Sequence, residues 1–80
     1  MNPQTEVAHR SGCINSPLPG VILSLNVKQG DSVKRGQKLA VLEAMKMEND
    51  ILATADGTVR EIFVQVGDSV RQGAELMIID

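Results

Sequence analysis

The residues best equipped for chemistry lie in one run, Glu43-Ala44-Met45-Lys46-Met47-Glu48. Lys46 carries a primary amine. Placed at the tip of a projecting turn, that amine is open to approach by another enzyme. The plain alternative is a surface lysine in a loop, which is what most lysines are. Two methionines beside it count against a merely solvated turn, because flexible, polarizable side chains at a surface suit a recognition spot. Residue types alone leave both readings open.

Little else in the chain could act. One cysteine, Cys13, and one histidine, His9, rule out an intramolecular disulfide and a Cys/His zinc site within the chain. No nucleophile–base pair or metal cluster is visible, so an autonomous enzyme is not expected, and neither a catalytic residue nor a metal ligand is assigned. The glycine-rich pieces Gly30-Asp31-Ser32-Val33 and Gly67-Asp68-Ser69-Val70 lack the following helix and the lysine of a phosphate loop. They read as turns, with glycine free to take positive φ and Asp able to bond the neighbouring backbone. A formal net charge of −2 and a single aromatic, Phe63, argue against nucleic acid as a partner. No apolar run approaches the roughly 20 residues of a membrane span, so direct membrane insertion is not expected. With no apolar core segment near the start and one cysteine, the expectation is a single-domain cytoplasmic chain.

The elements that must position Lys46 come from a repeat. Sliding the chain by 37 positions brings Pro19–Glu43 onto Asp56–Asp80, with eight identities in 25 positions, among them Gly20/Gly57, Val27/Val64, Gly36/Gly73 and Leu39/Leu76. The hexapeptide begins where the first copy ends. Residues 1–12 are polar and read as a flexible leader, leaving 13–80 as the domain.

Cys13-Ile14 opens a first short strand, closed by Ser16-Pro17-Leu18-Pro19-Gly20. Leu23, Leu25 and Val27 then alternate with Ser24, Asn26 and Lys28, the period of a half-buried strand. In the second copy Ile62, Val64 and Val66 take the inner row and Glu61, Phe63 and Gln65 the outer; Phe63 falls on Asn26 and is expected to be at least partly exposed. The stretch from Leu39 to Glu48 is rich in helix formers. Its repeat partner, Leu76-Met77-Ile78-Ile79, has the isoleucines of a strand, and Asp50–Ala55 resumes an extended pattern at once. The spacing therefore predicts a strand over Lys38–Ala44, a tip over Met45–Met47 and a returning strand over Met47–Leu52. About eight short strands between turns describe an all-β flattened barrel or barrel-sandwich hybrid, two four-stranded antiparallel sheets related by a quasi-twofold, with the lysine on a hairpin turn.

Glu43-Ala44-Met45-Lys46-Met47-Glu48 resembles the biotin attachment motif, Ala-Met-Lys-Met, of biotin carboxyl carrier domains. The likeness runs from about Ile14 to Asp80 and takes in Ser16–Gly20, both Gly-Asp turns, Asn49 and Gly57. It implies that a biotin protein ligase joins biotin covalently to the ε-amine of Lys46, with Glu43, Ala44, Met45, Met47 and Glu48 as the flanking residues the ligase reads. It further implies a non-catalytic carrier, whose biotin is carboxylated at a ureido nitrogen in a biotin carboxylase site and relieved of the carboxyl group by a carboxyltransferase or decarboxylase subunit.

Gly20–Gly30 and Gly57–Gly67 are equal in length, so the extra thumb loop of some acetyl-CoA carboxylase carriers is not inserted. That makes the chain more similar to carriers of decarboxylases, transcarboxylases, and pyruvate or propionyl-CoA carboxylases. Ala53-Thr54 stands where the family often has Ala-Pro, a difference confined to one turn. Two other readings compete. A lipoyl domain is similar in fold, but its lysine typically follows Asp and precedes Ala, unlike Lys46. An unmodified adaptor module, with paired motifs joined by a long helical insertion, would need more residues between the copies than this chain has.

Overall fold

A computed structural model describes residues 12–80; apart from Gly12, the leader expected over residues 1–12 lies outside the described residues. Eight strands follow one another: β1 (Cys13–Asn15), β2 (Gly20–Leu25), β3 (Ser32–Val33), β4 (Lys38–Ala44), β5 (Met47–Leu52), β6 (Gly57–Ile62), β7 (Ser69–Val70) and β8 (Glu75–Ile79). They form two four-stranded sheets, ordered β1-β8-β6-β3 and β5-β4-β2-β7, with every pairing antiparallel. The helix that composition alone would favour over Leu39–Glu48 does not form. The strand–turn–strand predicted from the repeat does, within the bounds expected.

The register shows the repeat to be longer than the sequence alignment from Pro19 suggested. Ile14 pairs with Met77 as Ile51 pairs with Ala40, and Asn15 with Glu75 as Leu52 with Lys38, each pair again 37 positions from its mate. Strand β5 therefore opens the second copy, and β1 is its counterpart. Each sheet then contains two strands from each copy, since β3 pairs with β6 and β7 with β2. Neither copy completes a sheet without the other. The core draws on both: Ile22, Leu39 and Leu42 from the first and Val59, Leu76 and Met77 from the second are almost wholly buried. Each such side chain contributes about 1.5–3 kcal/mol.

Bulges explain where strict alternation fails. Between Ile22 and Ser24 the register with β4 slips, so Leu23 is the extra residue, and the same slip in β6 falls at Arg60, its repeat mate. A bulge sets two residues against one and breaks the two-residue period. Ile22 is consequently the buried residue, and Leu23, expected on the inner row, turns outward. A second matched pair of slips, at Leu39 in β4 and Leu76 in β8, lets consecutive residues of each strand enter the core. Val66 also departs from its expected inner position. The Asp68 N–H donates to the Gln65 carbonyl at 3.0 Å, closing a turn that puts Val66 at the corner, whereas Ile62 and Val64 pack against the core. The Gly-Asp turns are built alike: Asp31 accepts the Lys28 N–H and Asp68 the Gln65 N–H, at 3.0 and 2.9 Å, with Gly30 and Gly67 at φ 96° and 95°.

Candidate functional site: the β4–β5 hairpin

Lys46 sits in the shortest kind of hairpin connection. Ala44 pairs with Met47, leaving Met45 and Lys46 as the two loop residues, at φ 56° and 65°. Positive φ at both central positions is the geometry whose twist matches the flanking strands, and it usually selects Asn-Gly. A Met-Lys pair holds it at a cost of roughly 1–2 kcal/mol per residue. The ladder beneath absorbs that cost: it runs unbroken from Ala44↔Met47 through Glu43↔Glu48, Leu42↔Asn49, Val41↔Asp50 and Ala40↔Ile51. Asn49 ties the two arms further. Its side-chain amide donates to the Met47 carbonyl at 3.2 Å and more weakly to that of Leu42 at 3.4 Å.

The base of the hairpin is anchored against β2. Ala44 is buried, and a Cβ at Gly20 would run into the Glu43 carbonyl oxygen and lie 3.2 Å from the Ala44 side chain. Only a residue without a side chain lets β2 and β4 approach so closely here. Above that anchor everything is outside. Met45 is 81% exposed and Met47 65%, and Lys46, Glu43 and Glu48 are exposed as well. Among the described residues no carboxylate lies within ion-pair distance of the Lys46 amine. The six residues singled out from the sequence are thus brought together, with Ala44 as the buried foot and the other five in solvent. Gly20 and Asn49 have positioning roles that sequence reasoning did not assign. A close backbone approach and a side-chain bond across the ladder leave no local sequence signal.

A two-residue turn on an unbroken ladder, presenting an amine with apolar thioethers on either side and, among the described residues, neither an ion-pair partner nor anything folded over it, suits covalent attachment of a group that must then reach other surfaces. The model of the family described as biotin-requiring enzyme matches residues 12–79. The chain belongs to that family.

Among relatives, it is 46% identical over 52 residues to the human mitochondrial propionyl-CoA carboxylase alpha chain, covering 65% of this chain and 7% of the relative. It is 47% identical over 55 residues to the biotin carboxyl carrier protein of Streptococcus mutans, covering 69% and 42%. The chain therefore spans less than half the length of these relatives. In three dimensions it superimposes on the urea carboxylase of Kluyveromyces lactis with a TM-score of 0.80 at 31% identity, over 85% of this chain and 6% of that one. Lys46 and its neighbours fit biotin as an amide-linked group: the amine is exposed and, among the described residues, has no ion-pair partner, and the β4–β5 ladder fixes the backbone that carries it.

Proposed function

We propose that this biotinyl domain is a carboxyl carrier, in which a biotin protein ligase bonds biotin to Lys46 Nζ and the arm serves a carboxylase together with a carboxyltransferase or decarboxylase subunit. The observation that carries this reading is Lys46 at the apex of the two-residue turn, exposed and flanked by Met45 and Met47. The amide would remove the lysine's positive charge and take the formal net charge from −2 to −3. When bound, biotin supplies a ureido nitrogen that accepts and releases a carboxyl group. The protein's own residues do the positioning. Strands β4 and β5 hold the Lys46 backbone in one presentation, and the stem of Lys46 supplies the reach. Tethering turns each meeting with a partner site into an effectively intramolecular event, without requiring tight binding. Met45 and Met47 give the ligase an apolar contact on both sides of the amine.

The test is direct. Purified biotin protein ligase with ATP and biotin is expected to add one biotin, located on Lys46 by peptide mass spectrometry, and a lipoyl ligase with lipoate to add nothing. Lys46→Arg is expected to abolish labelling while leaving the unfolding curve unchanged. Labelling of the Arg variant, or labelling by the lipoyl ligase alone, would overturn the assignment.

A further inference from the structure

Methionine occurs in this chain in two opposite settings. Met45 at 81% and Met47 at 65% are the most exposed large apolar side chains among the described residues, and they stand on either side of Lys46. Met77, in β8, is completely buried and belongs to the core. Met1 lies outside the described residues. Neither exposed methionine is part of the core cluster, so packing does not account for the pair.

The hairpin does not require sulfur at either position. Met45 is one of its two loop residues, and Met47 opens β5 opposite Ala44. Leucine is close to methionine in volume and offers an apolar contact as well. A thioether differs in that it can be oxidised to a sulfoxide and reduced back again. Exposure decides where that happens. A small oxidant reaches Met45 and Met47 from solvent, whereas packing shields Met77. Cys13, the chain's one thiol, is in β1 and half-buried.

We propose that Met45 and Met47 form a reversible oxidation site that gates biotin attachment at Lys46, an inference that rests on the carrier reading above. The oxidant is a peroxide. A sulfur lone pair attacks one peroxide oxygen, an S–O bond forms as the O–O bond breaks, and the second oxygen leaves as hydroxide. That hydroxide takes the proton of the transferred oxygen and becomes water. Sulfur gives up two electrons and the peroxide gains them. The resulting side chain is polar and chiral. Drawn into an apolar contact, its oxygen loses water without gaining a partner, so the ligase's hold on both sides of the amine weakens while the amine itself is unchanged. The fold stays intact, because neither methionine packs in the core. A methionine sulfoxide reductase driven by thiols returns the two electrons and removes the oxygen as water, which restores the site.

Full chain free of biotin is prepared in native form and with Met45→Leu and Met47→Leu combined, each with and without Cys13→Ser. Every sample is treated with hydrogen peroxide, cleared of it with catalase, and divided for peptide mass spectrometry, thermal melting and initial rates with purified biotin protein ligase. The native chain is expected to gain one oxygen at each of Met45 and Met47 well before Met77 and to keep its Tm. Its ligase kcat/KM is expected to fall roughly tenfold, whether or not Cys13 is present. Reductases specific for the two sulfoxide epimers, with dithiothreitol, are expected to restore the rate. The double leucine variant is expected to hold its own untreated rate after peroxide. If leucine blocks labelling by itself, reductase rescue of the native chain decides. Met77 oxidised as fast as the pair, an unchanged rate in chain carrying both sulfoxides, a loss the reductases do not reverse, or an equal loss in the leucine variant would each overturn the inference. Where the untreated native chain labels at Lys46, any of those results leaves the carrier assignment standing; an untreated chain that takes no biotin would remove both.

Discussion

Glu43 and Glu48 stand directly opposite each other on β4 and β5, one rung from the turn that holds Lys46. Both are exposed. Like charges in a cross-strand pair are destabilising, by roughly 0.2–1 kcal/mol. A fold selected for stability alone would not keep two carboxylates there, which supports their proposed role as residues read by the ligase.

Glu48→Gln is therefore expected to raise stability by up to about 1 kcal/mol, and to shrink the gain in stability that added salt gives the native chain. The same variant is expected to take up biotin more slowly. Denaturant melts at low and high salt, with initial rates of ligase labelling, read both effects. A variant that is less stable, or as good a ligase substrate, would remove the argument for the pair.

Gly20 and Gly57 are repeat mates with different consequences. A Cβ at Gly20 meets the carbonyl oxygen of Glu43, backbone that cannot step aside; one at Gly57 meets the Ile79 Cγ2 at 2.8 Å and the Asp80 oxygen at 2.9 Å. Overpacking of this sort costs about 1–3 kcal/mol. Gly20→Ala is expected to cost more than Gly57→Ala and, because it pushes on the residue next to Ala44, to slow biotin attachment. Gly57→Ala is expected to label at the native rate. Parallel chemical melts and labelling rates of the two variants check this, and equal effects would show that the hairpin is not braced by β2.

Much of this architecture was legible in the sequence because it is written twice. The Gly-Asp turns and the strand at Lys38–Ala44 follow from laying one copy on the other, and the hairpin about Lys46 from the extended pattern that resumes at Asp50–Ala55, which together outweighed the helix propensity of Leu39–Glu48. The bulges were not legible. Leu23 and Val66 look inward when counted by twos, yet one extra residue at Leu23 and a turn corner at Val66 reverse them. Counting cannot locate a register slip whose cause is pairing with a distant strand. The part of β1 in the repeat was hidden for another reason: of Cys13-Ile14-Asn15, only Ile14 is identical to its mate, Ile51.

The turn itself offers the sharpest test of how the hairpin divides stability and function. Met45 takes φ 56° with a side chain that disfavours it, whereas Asn enters this region readily and leads the preferred pairs at such turns. Met45→Asn is expected to stabilise the domain by about 1 kcal/mol, which for a domain of this size raises Tm by roughly 4–8 °C. Yet Met45 is 81% exposed and contributes nothing to the core, so its retention has to be explained at the surface. If it serves as an apolar contact beside the amine, the stabilised variant should be the poorer substrate, with its ligase kcat/KM reduced while Lys46 remains the sole labelled residue. Calorimetry and ligase kinetics on the same preparation measure the two quantities side by side. A higher Tm with an unchanged kcat/KM would leave the methionine without a role in recognition.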